Sequence, residues 1–300
     1  MNNRKGIVAF ILIAFGIAWL NWEVVLRSGI AIDNPLFKIL AMPSAFAPAI
    51  AAFIVRKWIT REGFGDAGLA IDVSKWRYYL IGWLLPLVAV GCIVILAPLF
   101  GLAKPDFTLI RGLKQVMPGG VPPALLAHPW LLVLGLPVNA IFATPILFGE
   151  EFGWRGYLQL RLFPEQPLLS AIGTGVIWGI WHYPVNLRGY NYPDHRILGL
   201  LVFPVATVLI SIIFGWLRLK SNSIWCSSLA HAATNGMGGT LFLLLLGGSG
   251  GDYIYISLVG VLGYVPLGLL SAWIIATGQL KPAAPPQMQA DRSQAAQSGA

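Results

Sequence analysis

The chain has 300 residues, of which 57% are hydrophobic and only 11% charged, against about 25% charged in a soluble domain. That balance excludes a water-soluble globular enzyme and describes a polytopic, all-α membrane protein. The net charge of +8 comes from basic residues scattered between apolar runs, which marks membrane topology rather than a nucleic-acid surface. Cys92 and Cys226 lie inside apolar stretches, so the chain offers neither a disulfide framework nor CxxC metal spacing.

A membrane span needs about 20 apolar residues. Such runs occur near 6–22, 37–55, 78–100, 134–160, 168–187, 197–217, 223–246 and 253–276, which predicts about eight helices. Residues 1–278 read as a single membrane domain, with its polar core at about 130–246, and the Pro/Ala/Gln-rich tail 279–300 as disordered. At the N-terminus, Gly16-Ile17-Ala18 imitates a signal-peptidase site, but the apolar run continues through Trp19 and Leu20. We read an uncleaved first span, with a cleaved signal as the alternative. Placing both termini in the cytoplasm puts most Lys and Arg residues inside, the orientation expected in a bacterial-type cell membrane. Residues 56–77 are then a charged cytoplasmic connector that ends in a short interfacial helix. Residues 101–129 become a long Pro/Gly-rich external loop.

The fourth span carries "FGEEFGWRGY", residues 148 to 157. A charge near the bilayer centre costs about 2.5–3.5 kcal/mol on insertion scales, so Glu150, Glu151 and Arg155 need a reason. Glu151 and Arg155 are spaced i,i+4 and suit a helical ion pair, while Glu150 is turned away by about 100°. The helix should continue to about Phe163, and "PEQP" then turns the chain back. Glu150 before that turn and His182 after it are separated from it by nearly equal lengths of helix, about 20 Å each. His231 lies about 12 Å past the loop "RLKSNS". Three ionisable side chains from three helices can therefore share one layer. Asn235 follows His231 by i,i+4, as His182 follows Trp178, and both pairs should share a helix face.

Each residue also has a plain structural reading: a core histidine, an interhelical hydrogen bond, a buried ion pair. Together, Glu150, His182, His231 and Asn235 point to function, because ionisable groups inside a membrane default to it. A carboxylate near a histidine activates water, and a second histidine with an amide can bind an oxyanion. The same Glu150, His182 and His231 could instead hold Zn2+ with an open position. No HExxH or G-x-S-x-G motif occurs.

These residues resemble a known family. "EEFGWR" is E-E-x-x-x-R, "WGIWH" is close to F-x-x-x-H, and "HAATN" is H-x-x-x-N. Their order and spacing over about residues 148 to 236 are similar to those of the CPBP family. This is the CAAX-protease and bacteriocin-processing group of intramembrane proteases, to which the type II CAAX prenyl endopeptidases belong. The resemblance implies that Glu150 is the catalytic carboxylate, His182 its partner, and His231 with Asn235 the oxyanion- or metal-binding pair. Glu151 and Arg155 would support them, and Trp178 stands where phenylalanine is usual. It leaves open a glutamate-activated or a metal-bound water, so the cofactor is none or Zn2+. The expected partners are a protein or peptide substrate, lipid-modified or membrane-bound, and the lipid bilayer, with no nucleic acid. Two other classes stay open: a proton- or ion-coupled transporter, for which no inverted repeat is detected, and a non-catalytic scaffold or immunity protein.

Overall fold

The computed structural model describes residues 2–32 and 34–281, and every regular element among them is helical. Eight helices stand where the apolar runs predict them: α1 (Asn2–Arg27), α2 (Pro35–Ile54), α3 (Trp76–Leu99), α4 (Trp130–Gly153), α5 (Pro167–Trp181), α6 (Gly199–Ser221), α7 (Ile224–Ala232) and α8 (Tyr264–Ala276). Three of them run on through a π-helical turn. α2 continues through Val55–Ile59, α4 through Trp154–Leu158 into Gln159–Arg161, and α7 through Ala233–Gly238 into Gly239–Leu246. With these extensions α1, α2, α3, α4, α6 and α7 are long and apolar enough to cross a membrane. The chain is an integral membrane protein of the all-α class.

The fifth and eighth runs are shorter than predicted. α5 has 15 residues and α8 has 13, about 22 and 20 Å against about 30 Å of hydrocarbon. Pro184 has no N–H to continue the helical ladder, so the chain breaks at His182, and one further turn, Tyr183–Asn186, follows. The last run divides because the chain folds back after Tyr253–Ile256, with Val261 N–H donating to Ile254 O and Leu262 N–H to Tyr255 O. The predicted tail, from residue 282 onward, lies outside the described residues.

Two glycine pairs set how closely the site-bearing helices approach. On α5, a Cβ at Gly175 would meet Val208 Cα at 2.6 Å, and one at Gly179 would meet Pro204 Cα at 2.9 Å. α5 can therefore lie directly on α6. On α4, Gly149 and Gly153 press against Ala45–Phe46 and Pro48 of α2 in the same way. The buried apolar side chains form two main clusters, one around α1, α2, the end of α4, α5 and α6, the other around α3 and the far half of α7. Along α7, Cys226 and Ala230 belong to the first, and Ala233, Met237 and Leu241 to the second. His231 falls at the change.

The 56–77 connector contains two 3-10 turns, Gly65–Ala67 and Val73–Lys75, rather than the expected interfacial helix. Arginines from three helices pin it down. Arg56 Nη1 donates to Asp66 Oδ1 at 2.7 Å, Arg161 Nη2 to Asp66 Oδ2 at 2.9 Å, and Arg218 Nη2 to the Asp66 carbonyl at 2.7 Å. The 101–129 loop also docks on the protein: Leu109 and Leu113 are fully buried, and Asp106 N–H donates to Leu245 O at 2.7 Å.

Candidate active site

Glu150, Glu151 and Arg155 lie on α4 and its π-helical turn, all of them buried. Because adjacent residues on a helix diverge by about 100°, the two carboxylates enter different surroundings. Glu151 is fully buried, and its Oε1 accepts from Arg155 Nη1 at 2.8 Å and from His231 Nδ1 at 2.9 Å. Glu150 retains 6% exposure and has no ion-pair partner among the described residues. Its Oε2 accepts from the indole N–H of Trp178 at 2.8 Å and, more weakly, from that of Trp154 at 3.4 Å.

Trp178 links the remaining members. Its ring stands edge-on to His231, centroids 5.2 Å apart, and edge-on to His182 at 5.9 Å. The Arg155 guanidinium lies over its face at 4.7 Å, with Phe214 on the other side at 5.2 Å. A buried guanidinium between aromatic faces gains from the ring quadrupoles, which partly replace the water it has lost. The two carboxylates and one guanidinium leave the site with one formal negative charge when both histidines are neutral.

The histidine tautomers follow from their partners. His182 Nδ1 is 2.9 Å from the Trp178 carbonyl, and His231 Nδ1 is 2.9 Å from the Glu151 carboxylate. Both partners can only accept, so Nδ1 carries the proton in each ring and Nε2 is left with its lone pair. Among the described residues neither Nε2 has a hydrogen-bond partner.

Two sequence expectations are corrected here. The Glu–His contact within hydrogen-bonding distance is Glu151–His231, not Glu150–His182; Trp178 contacts both of the latter. Asn235 lies in the π-helical turn that starts at Ala233 and is exposed, whereas His231 is buried; it has no hydrogen-bond partner among the described residues. Nor do Glu150, His182 and His231 form a metal-ligand set: no group of three or more His, Cys, Asp or Glu side chains among the described residues is arranged to hold a metal ion.

Two contributors escaped the sequence reading. Trp154 carried a signal, the i,i+4 spacing from Glu150. Phe214, beside both Arg155 and His231 (5.6 Å), carried none, being one apolar residue among many on α6.

Buried carboxylates and two oriented histidines thus meet from three adjacent helices of a membrane-embedded protein. Residues 126–237 match the family model of the type II CAAX prenyl endopeptidases described as Rce1-like. Over that segment the chain is similar to the CPBP family of intramembrane proteases. No curated protein matches it.

Proposed function

We propose that this protein is an intramembrane endopeptidase in which Glu150 activates the hydrolytic water. The observation that carries this reading is the state of Glu150. Its carboxylate is held by two indole N–H groups and, among the described residues, forms no ion pair, beside two histidines whose Nε2 atoms have no hydrogen-bond partner there. A carboxylate so placed can accept a proton from water. The His182 Nε2 lone pair accepts the water's other hydrogen and orients it. Hydroxide adds to the scissile carbonyl carbon, and the C=O π pair moves onto oxygen. That oxyanion takes a hydrogen bond from the exposed Asn235 amide, and from His231 Nε2 once that nitrogen carries a proton as well as Nδ1. The proton held by Glu150 passes to the leaving nitrogen as the C–N bond breaks, giving an amine and a carboxylic acid, whose proton is then released to solvent as it becomes a carboxylate.

The substrate we propose is a membrane-bound peptide carrying a lipid modification, approached from the cytoplasmic side, with both termini of the enzyme cytoplasmic. The test uses purified protein in detergent and a prenylated peptide ending in a CAAX sequence. Wild type should cleave it, and Glu150→Gln, which keeps the shape and can still accept from Trp178, should fold and lose cleavage by about 100-fold or more. Full activity of Glu150→Gln would overturn the reading. Adding a chelator in parallel tests metal dependence directly.

A further inference from the structure

His182 sits where α5 has already ended. Only the single turn Tyr183–Asn186 follows it, and its bond to the Trp178 carbonyl sets the tautomer without fixing the tilt of the ring. What encloses the ring is aromatic: Trp181 at 4.7 Å, Phe203 at 5.0 Å and Trp22 at 6.1 Å between centroids. The third of these belongs to α1, more than a hundred residues before the matched segment begins.

α1 is held against this point by several contacts. Trp19 Nε1 donates to the Trp181 carbonyl at 2.8 Å, Trp181 Nε1 donates to the Ala14 carbonyl at 3.3 Å, and the Trp22 and Trp181 rings meet edge-on at 4.6 Å. Just beyond, Glu23 faces Arg188 at 3.6 Å across the segment that follows His182. Trp22 itself is 6% exposed. It is the α1 side chain whose ring packs against the imidazole that the mechanism requires, with the two planes tilted by 32°.

We propose that Trp22 is a positioning residue for His182, which makes the N-terminal helix part of the active site. The role rests on the protease reading given above. Trp22 completes the aromatic enclosure that Trp178, Trp181 and Phe203 make around the imidazole, and so keeps Nε2 directed at the water beside Glu150. A small misorientation of a catalytic group can cost about 100-fold in rate, whereas peptide binding does not depend on Nε2.

The experiment compares Trp22→Leu, Trp22→Met and Trp22→Phe with Val25→Ala, a buried apolar α1 residue outside the aromatic enclosure of His182. Steady-state cleavage of the prenylated peptide is read together with the nitrogen resonances of the His182 ring in 15N-histidine-labelled protein. Trp22→Leu and Trp22→Met should lower kcat by about tenfold or more with KM changed less than about twofold. Trp22→Phe should restore most of kcat, and Val25→Ala should lower thermal stability alone. The protected Nδ1–H signal of His182 should broaden in the Leu and Met variants and persist in the Phe variant. Unchanged kcat and an unchanged ring signal in the Leu and Met variants would overturn the proposal, as would a loss confined to KM. If wild type cleaves nothing, the protease reading fails, and the ring signal still decides whether Trp22 fixes His182.

Discussion

His231 Nδ1 donates to Glu151 Oε1 at 2.9 Å, and the same oxygen takes the Arg155 guanidinium at 2.8 Å. One fully buried carboxylate thus orients the histidine of α7 and neutralises the arginine of α4. The second glutamate of the E-E-x-x-x-R motif is in this way connected to the H-x-x-x-N motif, and the first forms no ion pair among the described residues.

Breaking that arrangement on one side should be expensive. Glu151→Gln strands a buried guanidinium and leaves one neutral amide oxygen to serve both Arg155 and His231. We expect a loss of about 3–5 kcal/mol in stability, read by thermal unfolding in detergent. The double variant Glu151→Leu/Arg155→Leu should recover most of that stability but not cleavage, because His231 still lacks its partner. Recovery of both would show that Glu151 matters to folding alone.

Trp178→Phe separates the ring from its N–H. The aromatic wall between Glu150 and His231 remains, and so should the fold. Glu150 loses its 2.8 Å donor, a hydrogen bond to a charged group worth about 1.5–3 kcal/mol. We expect kcat to fall by about 10- to 100-fold. An unchanged kcat would mean that the Trp154 indole alone suffices.

Helix approach is tested at the glycines. Gly179→Ala places a methyl 2.7 Å from Thr207 Oγ1 and 2.9 Å from Pro204 Cα, and should cost about 1–3 kcal/mol as α5 is pushed off α6. Gly91→Ala on α3, where nothing lies within 4 Å of the added carbon, should be close to neutral. Equal effects at the two sites, measured by thermal unfolding, would contradict this packing.

The pH dependence of stability should report on Asp66, which lies in the connector between spans. Burial pushes its carboxyl up, but the Arg56 and Arg161 guanidiniums outweigh that and hold it below the ordinary carboxylate value. A depressed folded value means that the contribution is present above the unfolded value of about 3.9 and is lost as pH falls through the lower, folded one. Melting curves collected downward from pH 6 should therefore steepen in their pH dependence below about pH 4. Asp66→Asn should flatten that limb and lower stability at neutral pH, because Arg56 is fully buried.

Much of this was legible in the sequence. Helical rise is constant, so the "PEQP" turn placed Glu150 level with the end of α5, and the order of three short motifs pointed to a family before any fold was drawn. The i,i+4 spacing of Glu151 and Arg155 was enough to foretell their ion pair, since both partners lie on one helix. The cost of burying charge in lipid made the polar residues conspicuous.

What only the tertiary structure decided is azimuth and neighbourhood. Glu150 and Glu151 differ by one residue, and which of them meets His231 depends on how α4 is rotated, which is set by Gly149 and Gly153 lying against α2. Asn235 is exposed although His231, one turn before it, is buried, a difference that leaves no mark in the hydrophobic pattern. Trp22 and Phe214 reached the histidines from helices that carry no motif. Local spacing determines what a helix presents along its own length, whereas contacts between distant segments exist only once close packing has chosen one rotation for each helix.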